Sequence, residues 1–120
     1  MRVLVCGDRN WADEVYLREK LYEFDEIHGI DTVIEGDAAG ADRMAGSWAQ
    51  ENSVPFLVFP AQWDIYGRAA GPIRNTQMLT EGRPDYVLAF HENIEFSRGT
   101  KNMVNQAKNA GIPYKIYLGY

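Results

Sequence analysis

The sequence predicts an α/β protein, a three-layer sandwich around a five-stranded and mostly parallel sheet, and three observations predict it. Short apolar, β-branched runs alternate with segments whose apolar residues recur at helical spacing, in the order β-α-β-α-β-α-β-α-β. The strand candidates are almost continuously apolar, as strands covered on both faces must be. Gly, Pro and Asn separate the segments, with no internal repeat, low-complexity tract or linker, so residues 1–120 are expected to form a single domain.

In chain order, the run at residues 2–6 is the first strand and ends at Gly7-Asp8-Arg9-Asn10-Trp11. Asp13 is placed to cap a helix in which Leu17, Leu21, Phe24 and Ile27 recur at helical spacing, and Gly29 stops it. Thr32–Glu35 is the second strand, followed by the small-residue loop Gly36-Asp37-Ala38-Ala39-Gly40-Ala41-Asp42. Met44, Ala45, Trp48 and Ala49 mark the apolar face of a helix ending near Asn52, and prolines 55 and 60 bracket a third strand. Residues 61–72 form a long connection with two aromatics and an arginine, then Pro72 introduces a short helix over residues 73–80. Tyr86–Phe90 is the fourth strand, residues 91–100 a loop, residues 101–110 a helix stopped by Gly111, and residues 113–118 the fifth strand.

Composition limits the classes of function. At 120 residues, 46% hydrophobic and 24% charged, the chain reads as one soluble globular domain. A net charge of −5 disfavours nucleic acid as a partner, because affinity for a phosphate backbone comes from neutralising many charges; a small anion needs only two or three cations. The lone Cys6 lies in an apolar strand and reads as a buried thiol, and cytoplasmic location is the expectation. No stretch approaches the roughly 20 apolar residues that span a bilayer, and no leader precedes the first strand, so no membrane association is expected.

Candidate site residues follow from where ligands sit in such sheets, beyond the carboxyl ends of the strands. The loop formed by Gly36, Asp37, Ala38, Gly40, Ala41 and Asp42 has small side chains and opens a helix, so its backbone N–H groups can approach an anion; alternatively its small residues only let strand and helix pack closely. Ser97, Arg98, Gly99 and Thr100 open another helix as a second cradle or a cap. Arg9, Arg68, Arg74 and Arg98 fall in or after strand-end loops, where guanidinium forks can clamp phosphate or carboxylate. Trp11, Trp63, Tyr66 and Phe96 are loop aromatics able to stack on a base or to meet a partner subunit, whereas Trp48 is expected in the core. Asp8, Asp37 and Asp42 can accept ribose hydroxyls, with helix capping the competing role for Asp42. His28 and His91 lie far apart, with no Cys/His cluster and no nucleophile elbow, so neither a metal nor any other cofactor is expected.

With these residues in place, the chain resembles the SLOG superfamily, named for the Smf/DprA and LOG proteins, and specifically its small, single-domain YspA-like branch. Gly7-Asp8-Arg9-Asn10-Trp11 looks like the branch's G-x-R-x-W, and Gly36 to Asp42 like its G-x-A-x-G-A-D. Ala70-Gly71-Pro72-Ile73-Arg74-Asn75-Thr76-Gln77-Met78 looks like A-G-P-x-R-N-x-x-M, so that the likeness runs over nearly the whole chain and adds Gly7 and Asn75 to the site. The resemblance implies a Rossmann-like fold and a pocket for nucleotides or nucleotide-derived ligands such as ADP-ribose derivatives. Members similar to the LOG enzymes cleave the N-glycosidic bond of nucleoside monophosphates with an arginine in R-x-x-x-M and a glutamate in P-G-G-x-G-T-x-x-E. Arg74 keeps the first and is the catalytic candidate if the protein is an enzyme, but the glutamate position is Met103, which cannot handle a proton.

The function expected from these observations is binding of a nucleotide or nucleotide-derived small molecule by a sensor or sequestering protein. The alternatives are a LOG-like nucleoside-monophosphate N-glycosidase and a DprA-like single-strand DNA binder; acidity and the lack of a basic, aromatic-studded groove count against the second. Loop aromatics beyond the needs of one nucleotide pocket predict a two-fold homodimer.

Overall fold

Val3, Leu4 and Val5 of β1 (Arg2–Gly7) are fully buried, so successive side chains leave the strand on opposite faces and both faces are covered. That is the position of a central parallel strand. In the computed structural model, which describes residues 1–119, β1, β2 (Thr32–Glu35), β3 (Phe56–Val58), β4 (Tyr86–Phe90) and β5 (Tyr114–Tyr117) form one sheet. Their order is β3-β2-β1-β4-β5, and every pairing is parallel. α1 (Glu14–His28) and α2 (Ala41–Glu51) cover one face, where Leu17, Leu21, Phe24 and Trp48 pack on Val3, Val5, Val33, Leu88 and Phe90. α4 (Ala70–Thr80) and α5 (Gly99–Asn109) cover the other, where Met78, Met103 and Val104 pack on Leu4, Cys6, Ile34, Val87 and Ala89. The three-layer, Rossmann-like sandwich is therefore present, with a sheet that is parallel throughout.

Local chemistry accounts for the helix limits. Asp13 Oδ1 accepts the Tyr16 N–H at 3.0 Å, and Gly29, at φ +76°, donates its N–H to the Asp25 carbonyl. Ser97 Oγ accepts the Thr100 N–H at 2.9 Å, which starts α5 at Gly99, two residues before the position expected from periodicity.

Residues 61–72 correct the reading of a long irregular connection. They contain the short helix α3 (Trp63–Tyr66), a 3-10 turn (Gly67–Ala69) and the start of α4, in which Pro72 is the third residue. A proline is tolerated there because the first N–H groups of a helix have no partner within it. At the sheet margin, Phe56, Leu57 and Val58 of β3 are each about two-fifths exposed, and Ile65 and Tyr66 of α3 are exposed as well. Among the described residues no helix is long and apolar enough to cross a membrane.

Candidate functional site

β1 and β4 lie side by side, yet the chain leaves β1 toward α1 on one face of the sheet and leaves β4 toward α5 on the other. Two connections that diverge from adjacent strands open a crevice at the carboxyl edge. The cleft found there has a volume of about 460 Å³, within the size range of small-molecule sites.

One end of the cleft is cationic. Gly7 passes so close to β4 that a Cβ would overlap the Phe90 carbonyl oxygen and come within 2.8 Å of the Ala41 Cβ. The close approach lets Asp8 donate its N–H to that carbonyl at 2.9 Å, while Asp8 Oδ1 accepts the Asn10 N–H and turns the chain. Arg9 follows, exposed, and Arg98, the residue that precedes α5, lines the same cleft beside Ser97, Gly99 and Thr100. Among the described residues neither Arg9 nor Arg98 forms an ion pair. His91 also lines the cleft; its Nδ1 accepts the Asn93 N–H, and its Nε2 lies 3.9 Å from Asp8 Oδ2.

The floor is acidic. Asp42 is 4% exposed and lines the cleft with Ala38, Cys6 and Met78. Its Oδ2 accepts the Ala38 N–H at 3.3 Å, and burial pushes its carboxyl up to about 6, with the Arg74 charge and the Ala38 and Gly36 N–H groups opposing a larger rise. Behind it Glu35, 3% exposed, accepts the Asp37 N–H at 2.9 Å, and burial together with the neighbouring Asp42 charge pushes its carboxyl up to about 7. Gly46 of α2 makes room for this carboxylate, since a Cβ there would lie 3.0 Å from Glu35 Oε2. Burial also pushes the Cys6 thiol well up, so this cleft sulfur stays protonated and is a poor nucleophile.

Arg74 ties the floor to the far helix. Its Nη1 donates to the Gly36 carbonyl at 2.6 Å and its Nε to Asn75 Oδ1 at 3.0 Å, and Asn75 Nδ2 donates onward to the Gly99 carbonyl and to Asn102 Oδ1. A guanidinium held at two of its nitrogens has a defined orientation and still offers Nη2. At the mouth stand two exposed rings, Trp63 at 58% and Phe96 at 86%. Trp63 lies against α4 because Gly71 has no side chain, with 3.4 Å between the ring and the position a Cβ would take.

Of the residues singled out from sequence, the structure brings Gly7, Asp8, Arg9, Ala38, Asp42, Arg74, Asn75, Ser97, Arg98, Gly99 and Thr100 to this cleft. Gly36, Gly40 and Ala41 sit behind its wall. A Cβ at Gly36 would overlap Arg74 Nη1, one at Gly40 would overlap the Asp8 carbonyl oxygen, and the Ala41 N–H donates to that same oxygen at 3.3 Å. Asp37 instead pairs with Arg43 at 3.3 Å, and Arg68 is exposed on the 3-10 turn and does not line the cleft.

Trp11 corrects the expectation of an accessible ring. It is 6% exposed, edge-on to Phe90 at 5.7 Å, and bonded through Nε1 to the Asp13 carbonyl, since an indole so close to the start of α1 finds its apolar surroundings under that helix. Met103 is wholly buried under the sheet and does not line the cleft. Glu92 and Glu95 do not line it either, and Glu95 pairs with Lys101 at 3.0 Å. Reasoning from sequence passed over Cys6, Gly71, Met78 and His91 as lining residues and gave Glu35 no role. Glu35 had one signal, a carboxylate closing an apolar strand just before a glycine.

Comparison with known proteins adds two findings. A family model described as “YspA, cpYpsA-related SLOG family” matches residues 1–66, which carry the loops after β1 and β2. The “Gene 61 protein” of Mycobacterium phage D29 is 38% identical over 122 aligned residues, covering 93% of this chain and 92% of that protein. No solved structure matches the chain.

Proposed function

Because this chain belongs to the YspA, cpYpsA-related SLOG family, we propose that its cleft binds a nucleotide or nucleotide-derived small molecule, such as an ADP-ribose derivative, as a sensor or sequestering protein. The observation that carries the reading is the pairing, in one cleft at the topological switch point, of a cationic end whose arginines form no ion pair among the described residues with two exposed rings at the mouth. Arg9, Arg98 and the first turn of α5 suit an anion, since the N-terminal N–H groups and the guanidinium forks both favour negative charge. Trp63 and Phe96 suit a planar base, which stacks on such rings whatever its identity.

Indole fluorescence tests it directly, because Trp63 is 58% exposed whereas Trp11 and Trp48 are 6% and 0%. Titration with AMP, ADP and ADP-ribose is expected to quench the exposed component. Arg98→Ala is expected to weaken the tightest of the three about tenfold, the effect of losing a hydrogen bond to a charged group. No change in fluorescence or in calorimetric heat with any of the three overturns the proposal.

The N-glycosidase remains the second reading, favoured by Arg74 beside Asp42, a cleft carboxylate able to act in place of the missing glutamate. Chromatography of AMP incubations decides it: free adenine released by the native protein and abolished in Arg74→Ala establishes the enzyme. We also propose a two-fold homodimer, supported by the exposed apolar residues of β3 and α3. Sedimentation equilibrium showing only monomer at micromolar concentration removes it.

A further inference from the structure

The two sides of the cleft offer opposite chemistry. At the α5 end, Arg9 and Arg98 have no ion-pair partner among the described residues. On the opposite wall, donors of the loop after β2 are already taken, the Asp37 N–H by Glu35 Oε1 at 2.9 Å and the Ala38 N–H by Asp42 Oδ2 at 3.3 Å. Arg74, the cation whose charge acts on Asp42, has committed Nη1 to the Gly36 carbonyl and Nε to Asn75. What this wall presents to a ligand is therefore an acceptor, the Asp42 carboxylate, 4% exposed and lining the cleft. A buried carboxylate repels phosphate oxygens and is satisfied by uncharged donors. In a nucleotide those nearest the phosphate are the sugar hydroxyls, and a vicinal pair presents two of them side by side to one carboxylate.

We infer that Asp42 accepts the 2′- and 3′-hydroxyls of a ribose, so that the cleft selects ribonucleotide ligands over their 2′-deoxy counterparts. This rests on the nucleotide-binding reading above. It orients the ligand, with phosphate toward Arg98 and the start of α5, sugar over Asp42, and base between the exposed rings of Trp63 and Phe96. The selectivity has a physical cause. A 2′-deoxy ligand leaves one lone pair of a buried carboxylate without a donor, and losing a hydrogen bond to a charged group costs about tenfold or more in affinity.

The test compares AMP and ADP-ribose with 2′-deoxy-AMP and 2′-deoxy-ADP-ribose on the native protein, followed by Trp63 fluorescence and calorimetry. The expected result is tenfold or greater weakening for the deoxy member of whichever pair binds. Equal affinity within a pair overturns the role of Asp42 and leaves nucleotide binding standing, whereas failure of both ribose forms to bind overturns the two together. Asp42→Asn sharpens the assignment, since an amide gives up the anionic acceptor at nearly constant volume. A variant with a cooperative melting transition is expected to bind both members of a pair within about twofold of each other. Discrimination that persists in that variant assigns the hydroxyls to another group and overturns the inference. The native pair decides the matter even where the variant does not fold.

Discussion

Two loops in this molecule look alike in sequence and do opposite things in the fold. The loop after β2, Gly36 to Asp42, and the entry to α5, Ser97 to Thr100, are both small-residue approaches to a helix at the same sheet edge. In the first, two backbone donors go to the chain's own carboxylates, Glu35 and Asp42, and its glycines are crowded by Arg74 and by the Asp8 carbonyl. In the second, Ser97 satisfies one donor, Arg98 has no ion-pair partner among the described residues, and a Cβ at Gly99 would meet none of them within 4 Å. A small-residue turn thus signals either close packing or an open helix entry, and the destination of its N–H groups separates the two.

The largest expected effect separates the loops by their glycines. Gly40, at φ +76° and against Asp8, should not accept a side chain, and Gly40→Val is expected to lower unfolding free energy by about 4 kcal/mol or more, combining overlap with backbone strain. Urea denaturation checks it, and a midpoint near that of the native protein would break the comparison. Next in size is Arg74→Ala, which orphans the Gly36 carbonyl and leaves Asp42 without its neighbouring cation. A loss on the order of 2–3 kcal/mol is expected, only part of it restored by Arg74→Lys, because an ammonium cannot bridge Gly36 and Asn75 as a fork does.

Smaller, and dependent on pH, is the effect of the acidic floor. Glu35 and Asp42 titrate at about 7 and about 6 in the folded chain against 4.5 and 3.8 when unfolded, so the native state holds more protons between those limits. Their contribution to stability is therefore full in acid, is lost as pH rises from about 4 to about 7, and is constant above. Glu35→Gln keeps an acceptor for the Asp37 N–H and removes the charge; it should flatten the fall and stabilise the protein at pH 8 by on the order of 1 kcal/mol. Melting temperatures of both proteins across pH 4 to 8 measure the difference, and parallel curves would refute it. The smallest effect belongs to the open loop: Gly99→Ala should change stability by no more than about 1 kcal/mol, since a helical position with free space gains from alanine's propensity. A large destabilisation there would show that this entry is as tightly packed as the other.

Much of the fold was legible along the chain. Uninterrupted apolar runs in β1 and β4 implied strands buried on both faces, and Asp13 and Gly29 marked the ends of α1 through bonds that span three or four residues. The segment after β3 was less legible, because α3 is a single turn whose residues are all exposed and show no apolar face. Part of the candidate site was visible as well, since motifs at strand ends named Asp8, Arg9, Asp42, Arg74 and Arg98, which the fold brings to one cleft. Trp11 was misplaced because an indole between a strand and a helix can turn either way, and its burial depends on Phe90, far off in sequence.

By itself, then, the sequence determined the alternation of elements, the double-sided burial of the sheet and which polar residues stand at strand ends, because periodicity and capping act between neighbours in the chain. Only the tertiary structure decided where the rings of Trp11 and Trp63 point, and that Arg74 spends two of its nitrogens on the protein itself. The Arg74 network depends on contacts across long separations, 38 residues from Arg74 to Gly36 and 24 from Asn75 to Gly99. Such pairs meet only when the crossovers have laid α4 and α5 together on the sheet, and a backbone donor or a guanidinium takes whichever acceptor that packing brings within reach.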